Sequence, residues 1–141
     1  MGRSRIVPSD CGQRISVAKL IVEQMLKGEL YLFIREWGVW PSSECEDMVE
    51  QIRKNAGISG PTIENLYERI TASDVSYASA LVAALFVNTW DFVLLTPALG
   101  AAIHVSHDEF MSAIAGDPEF HESFDAICDS HDLPVFLGFT T

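Results

Sequence analysis

The chain has 141 residues, a net charge of −11 and 48% apolar side chains. That length suits one domain with a core of its own, and that apolar content suits a folded chain rather than a disordered one. Three scattered cysteines, Cys11, Cys45 and Cys128, make no disulfide framework and fit free thiols in a reducing cytosol.

The N-terminus, MGRSRIVPSDCG, is basic but lacks the apolar stretch of a secretory signal. Ile6 stands where the myristoylation pattern needs Ser or Thr. Asp10 and Gln13 have the spacing of a capping box, so a first helix is expected from there to Lys27, with Gly28 as terminator. Ile15, Ala18, Val22, Met25 and Leu26 form its expected buried stripe. ELYLFIREWG follows, with Leu30, Phe33, Ile34 and Trp37 at helical spacing, although Leu30, Leu32 and Ile34 would also serve a strand. A helix is expected here, ended by Pro41.

Ser43 and Glu46 form a second capping box, opening a helix that carries Met48, Val49 and Ile52 inward as far as Gly57. Gly60-Pro61 opens a further expected helix, with Ile63, Leu66, Tyr67 and Ile70 on its apolar side. The segment DVSYASALVAALFVN is apolar nearly all round, which places it at the centre of the core. Its apolar run from 80 to 87 is far short of the roughly 18 residues a membrane span needs.

Phe92–Thr96 and Ala101–Val105 are β-prone runs separated by the turn residues PALG, and read as a hairpin. Ser106-His-Asp-Glu109 then matches a capping box before Phe110, Met111 and Ile114, predicting a helix start. Asp117-Pro118 opens another helix, with Phe120, Phe124 and Ile127 inward. The tail LPVFLGF reads as an edge strand or a packed tail. No repeat or linker divides the chain, so residues 1–141 are read as a single domain. The expected fold is α+β and mostly helical. A helical body surrounds a buried central helix at about 74–88, followed by a small β-hairpin at about 92–105 and two C-terminal helices.

Charge is the strongest functional signal. Residues 1–40 hold six basic and four acidic side chains, but no Lys or Arg follows Arg69, while ten carboxylates do. A one-signed half repels nucleic acid and anionic membrane and attracts basic partners. Trp40, in the loop VWPSSE, is the tryptophan most suited to anchor such a partner. Asp108, Glu119, Glu122, Asp125 and Asp129 would supply the acidic contacts.

All four histidines lie in the same acidic third as eight of the carboxylates. His104, His107 and Asp108 are the residue types that ligate zinc, which gives a metal-dependent hydrolase as the enzyme alternative. Their spacing matches no zinc motif. His121, Asp125 and Cys128 are spaced along one helix face, where nucleophile, base and orienter rarely meet. The expectation is a His121–Asp125 surface pair, with Cys128 bordering the core. No catalytic residue and no cofactor are assigned.

Two blocks, REWGVWPSSE at 35–44 and TWDFVLLTPALGAAIHVSHDEF at 89–110, resemble small bacterial proteins of the toxin-immunity type. What the resemblance implies is a helical body, a W-D-x-x-L strand, an S-H-D-E helix start, intracellular residence and binding of another protein. The leading expectation is a non-enzymatic cytoplasmic protein whose acidic C-terminal half docks on a basic protein such as a toxin. A homo-oligomer pairing through its C-terminal tail is the third class.

Overall fold

The computed structural model describes residues 2–35, 46–58, 60–62, 66–71, 73–88 and 91–138. Its strands are Gly2–Ile6 (β1), Leu30–Ile34 (β2), Tyr67–Ile70 (β3), Phe92–Thr96 (β4), Ala101–Val105 (β5) and Phe110–Ala115 (β6). Its α-helices are Cys11–Leu20 (α1), Glu46–Asn55 (α2), Val75–Val87 (α3) and Pro118–Ser130 (α4). The strands form one sheet in the order β1-β6-β5-β4-β2-β3, antiparallel at every junction. The fold is therefore α+β on a six-stranded sheet, not a mostly helical body with a small hairpin.

The corrections share one physical cause, because period-two segments found partners far away in the chain. Leu30, Leu32 and Ile34 are buried on one side of β2, while Phe33 on the other side is 37% exposed, so ELYLFI is a strand. Tyr67–Ile70, expected within a helix, is an edge strand paired to β2; Ile63 lies outside the described residues. Phe110–Ala115 pairs with both β5 and β1 and is no helix, so α4 alone follows the sheet. The run GRSRI, read only as a basic terminus, alternates Arg3 and Arg5 with Ser4 and Ile6 and becomes edge strand β1. The hairpin residues are in place, but β4 and β5 are the middle of the sheet, joined by a 3₁₀ turn, Pro97–Leu99, closed by Gly100 at φ +57.

Helical segments follow their local signals more closely. Asp10 caps α1, its Oδ2 accepting from the Gln13 N–H at 2.9 Å, and the helix continues as a π-helical turn, Ile21–Met25. Of the expected stripe, Ala18, Val22, Met25 and Leu26 are buried, joined by Arg14, Val17 and Ile21, and only Ile15 is not, at 44% exposure. The buried Arg14 guanidinium donates to the Pro8 and Val87 carbonyls. On α2, Val49 is buried and Met48 exposed; the proposed cap Ser43 lies outside the described residues. Helix α3 buries Ala78, Leu81, Val82 and Leu85 against α1 and α2.

One face of the sheet holds the core. Leu32, Phe92, Leu94, Ile103, Met111 and Ala113 point into a single cluster with Val17, Ile21, Leu81, Leu85 and Phe124 of the helices. Beneath α2 that core also takes in a polar group. Arg53 is 1% exposed with Nη2 3.6 Å from Glu68 Oε2, and the Tyr77 hydroxyl donates to Glu68 Oε1. Burial, then the hydrogen bond to Glu68, raises the Tyr77 pKa above its ordinary value.

The other face carries two rows of side chains across all six strands. The first runs Ser4, Ser112, His104, Val93, Phe33 and Tyr67; the second runs Gly2, Ile114, Ala102, Leu95, Tyr31 and Arg69. None of these belongs to the core cluster. The tail lies along the free edge of β1, where Val135 bridges Arg5, Phe136 N–H donates to Ser4 O and Ile6 N–H donates to Pro134 O. Among the described residues no helix is long and apolar enough to cross a membrane.

Candidate functional site

Two groups of the expected site residues occupy different places. The first is built where β4, β5 and the β5–β6 turn meet. Asp91 precedes β4 on the same side as Val93 and Leu95, and its carbonyl accepts from the Arg35 N–H at 2.8 Å. His104, opposite Val93, brings Nε2 to 3.1 Å from Asp91 Oδ1. The turn then returns His107, whose Nδ1 lies 3.3 Å from Asp91 Oδ2 and whose Nε2 lies 3.5 Å from Asp108 Oδ1.

An ionised carboxylate only accepts, so His104 presents Nε2–H and His107 presents Nδ1–H to Asp91. Asp91 is 7% exposed, and each of its oxygens faces one imidazole. Phe110 stands edge-on to the His104 ring at 5.8 Å. The arrangement ties the start of β4 to the β5–β6 turn.

The expected helix cap at Ser106–Glu109 is instead this turn. Ser106 Oγ accepts from the Asp108 N–H at 3.1 Å, Ser106 N–H donates to Phe110 O, and Glu109 adopts φ +66. A cap and a tight turn share this Ser-x-x-Glu chemistry, because both need a side-chain oxygen to take up a local N–H. Asp91 was missed as a member. Its only sequence signal is its place just before a β-prone run, and the register that sets it beside His104 is not readable from spacing. The metal alternative on His104, His107 and Asp108 lacks a ligand cage, since among the described residues no three His, Cys, Asp or Glu side chains are placed to hold one ion.

The second group lies on α4. Asp117 caps it, accepting from the Glu119 N–H at 3.0 Å, and negative charge there complements the positive end of the helix. Phe120, Phe124, Ile127 and Cys128 face the core, which turns Glu119, Glu122 and Asp129 to solvent. Asp125 is on the flank, 17% exposed, and binds both Arg3 and Arg5. Asp129 pairs with Arg5 at 2.8 Å, and Arg5 also donates to Leu133 O. Asp108 is exposed in the β5–β6 turn, and Trp40 lies outside the described residues.

The carboxylates after Arg69 therefore do not form one uninterrupted patch. Asp91 is buried, Asp125 and Asp129 are spent on β1, and Glu109 lies 3.7 Å from Arg14. The expected His121–Asp125 surface pair is absent. His121 is buried with Nε2 against Ala115 O at 3.0 Å, while Asp125 faces the arginines. Cys128 is fully buried, and that burial pushes its thiol up to about 12. Comparison of the chain with protein-family models, with curated proteins and with solved structures gives no match.

Proposed function

We propose that this chain is a non-enzymatic cytoplasmic binding module that docks on a basic protein surface, in the manner of an immunity protein covering a cationic toxin. The observation that carries this reading is the division of labour on α4. Arg3 and Arg5 engage Asp125 and Asp129, while Glu119 and Glu122 stay at the solvent face of the same helix. With a net charge of −11 behind them, these side chains steer a cationic partner towards α4. Opposite fields of this kind lift association from about 10⁶ towards 10⁸ M⁻¹s⁻¹ at low salt. Asp108 adds to the same field from the β5–β6 turn.

The test is titration calorimetry against the protein encoded next to this chain. A saturable one-to-one complex that inhibits that protein's activity is the expected result. A neighbour that is not basic, or that shows no binding at micromolar concentrations, contradicts the proposal.

A further inference from the structure

The junction of α1 with the end of α4 holds a pair of side chains that neither the core nor the docking face uses. His131, the residue after α4, has its Nδ1 2.9 Å from Ile127 O and 3.0 Å from Ser130 Oγ. A carbonyl oxygen only accepts, and the Ser130 hydroxyl already donates to that same carbonyl at 2.7 Å. Nδ1 therefore carries the proton of the neutral ring, and Nε2 is an acceptor. Facing Nε2 at 3.0 Å is Ser16 Oγ of α1. The Ser16 hydroxyl thus donates to an imidazole whose tautomer is fixed from behind, the alignment of a nucleophile with its general base.

The surroundings of Ser16 extend that arrangement. Ser16 is half-buried and opens on a groove of about 370 Å³ lined by Gly12, Ile15, Ser16, Lys19, Leu20 and Glu23. Lys19 comes three residues later in α1 and so shares a helix face with Ser16. This is the Ser-x-x-Lys spacing that sets an ammonium beside an acyl-accepting hydroxyl. Gly12, one turn earlier, has no side chain to cover that hydroxyl. Ile15, 44% exposed, and Leu20 give the groove apolar surface.

We propose that Ser16 is an acyl-acceptor site, taking one acyl group from an activated ester or thioester. Its Oγ attacks the carbonyl carbon while its proton passes to His131 Nε2. The bond from that carbon to the leaving oxygen or sulfur breaks, the leaving group takes the proton from Nε2, and Ser16 keeps the acyl group as an ester. Lys19 supplies positive charge for the oxyanion that develops on the way. Ser16 lies within α1, where backbone N–H groups are spent on carbonyls four residues back, so α1 offers that oxyanion no backbone pair. The ester therefore persists, and the chain is modified once without turnover, in keeping with a binding module. The site is separate from the docking assigned to Glu119 and Glu122 at the other end of α4.

The test is acetylation of the full chain by p-nitrophenyl acetate, read by peptide mass mapping after dithiothreitol has stripped thioesters from the cysteines. Acetyl should reach Ser16 at least about tenfold faster than Ser123, an exposed serine of α4 that serves as internal reference. His131→Gln should bring Ser16 down to the rate of Ser123, and Lys19→Met should slow it by a smaller factor. A fluorophosphonate, which marks activated serines and spares lysine amines, should label the unaltered chain and not Ser16→Ala. Thermal melts check the fold of the variants, and the comparison of the two serines needs no variant at all. Acetylation of Ser16 no faster than of Ser123, or undiminished in folded His131→Gln, overturns the proposal.

Discussion

Carboxylates inside and outside this fold have different work. Glu68, Asp91 and Asp125 each face two partners, respectively Arg53 and Tyr77, His104 and His107, and Arg3 and Arg5. Glu119 and Glu122 face solvent on the helix that presents Asp125 to β1. An acidic sequence therefore overstates its acidic surface, because part of the charge closes the sheet and holds its turns. Only the outward set is left for a partner.

Substitutions that keep shape and remove charge should separate the two sets. Glu68→Gln leaves the Arg53 guanidinium as an uncompensated buried charge, and chemical denaturation should show a loss of about 3–5 kcal/mol. Asp125→Asn takes the carboxylate from Arg3 and one of two from Arg5, which keeps Asp129 and Leu133 O, and should cost about 1.5–3 kcal/mol, with amide exchange faster in β1 than in β4. Asp91→Asn turns an amide donor towards an imidazole N–H and should cost about 1–3 kcal/mol by the same measurement. Amide exchange should place the damage at the β5–β6 turn, seen as lost protection of the Ser106 N–H that donates to Phe110 O.

Burial gives a smaller effect, read by pH. Cys128 is held protonated by its surroundings, so alkylation at pH 8 should label exposed Cys11 and spare Cys128 until the chain unfolds. The folded pKa of about 12 lies above the ordinary value of 9.0, so this group's contribution is complete below pH 9 and fades as pH rises towards 12. The raised Tyr77 hydroxyl acts in the same direction, so stability should fall steadily above pH 9 or so. Stability that holds level across that range would show that neither group is buried as described.

Local chemistry was legible where it closes within a few residues. The Asp10 cap of α1, the Asp117-Pro118 start of α4 and the apolar run of α3 each declare themselves in the chain. Strand assignment failed where the partner is distant. Leu30–Ile34 fits both periods, and only pairing to Phe92–Thr96 and Tyr67–Ile70 decides between them. The same holds for β1, whose partner β6 lies more than a hundred residues on. The candidate site was half visible for that reason. His104 and His107 stand close in sequence, but Asp91 joins them through sheet register, and the arginines that claim Asp125 come from the opposite end of the chain.

The outward carboxylates give the most direct test. Glu119→Lys with Glu122→Lys should cost only about 1 kcal/mol of folding stability, set by the positive end of α4 at Glu119, since neither side chain is buried. Stopped-flow association with the basic partner should then slow at least tenfold for the double variant, and for the unaltered chain between low salt and about 0.3 M, where screening shortens the field's reach. Equal rates for both proteins, unchanged by salt, would contradict the account.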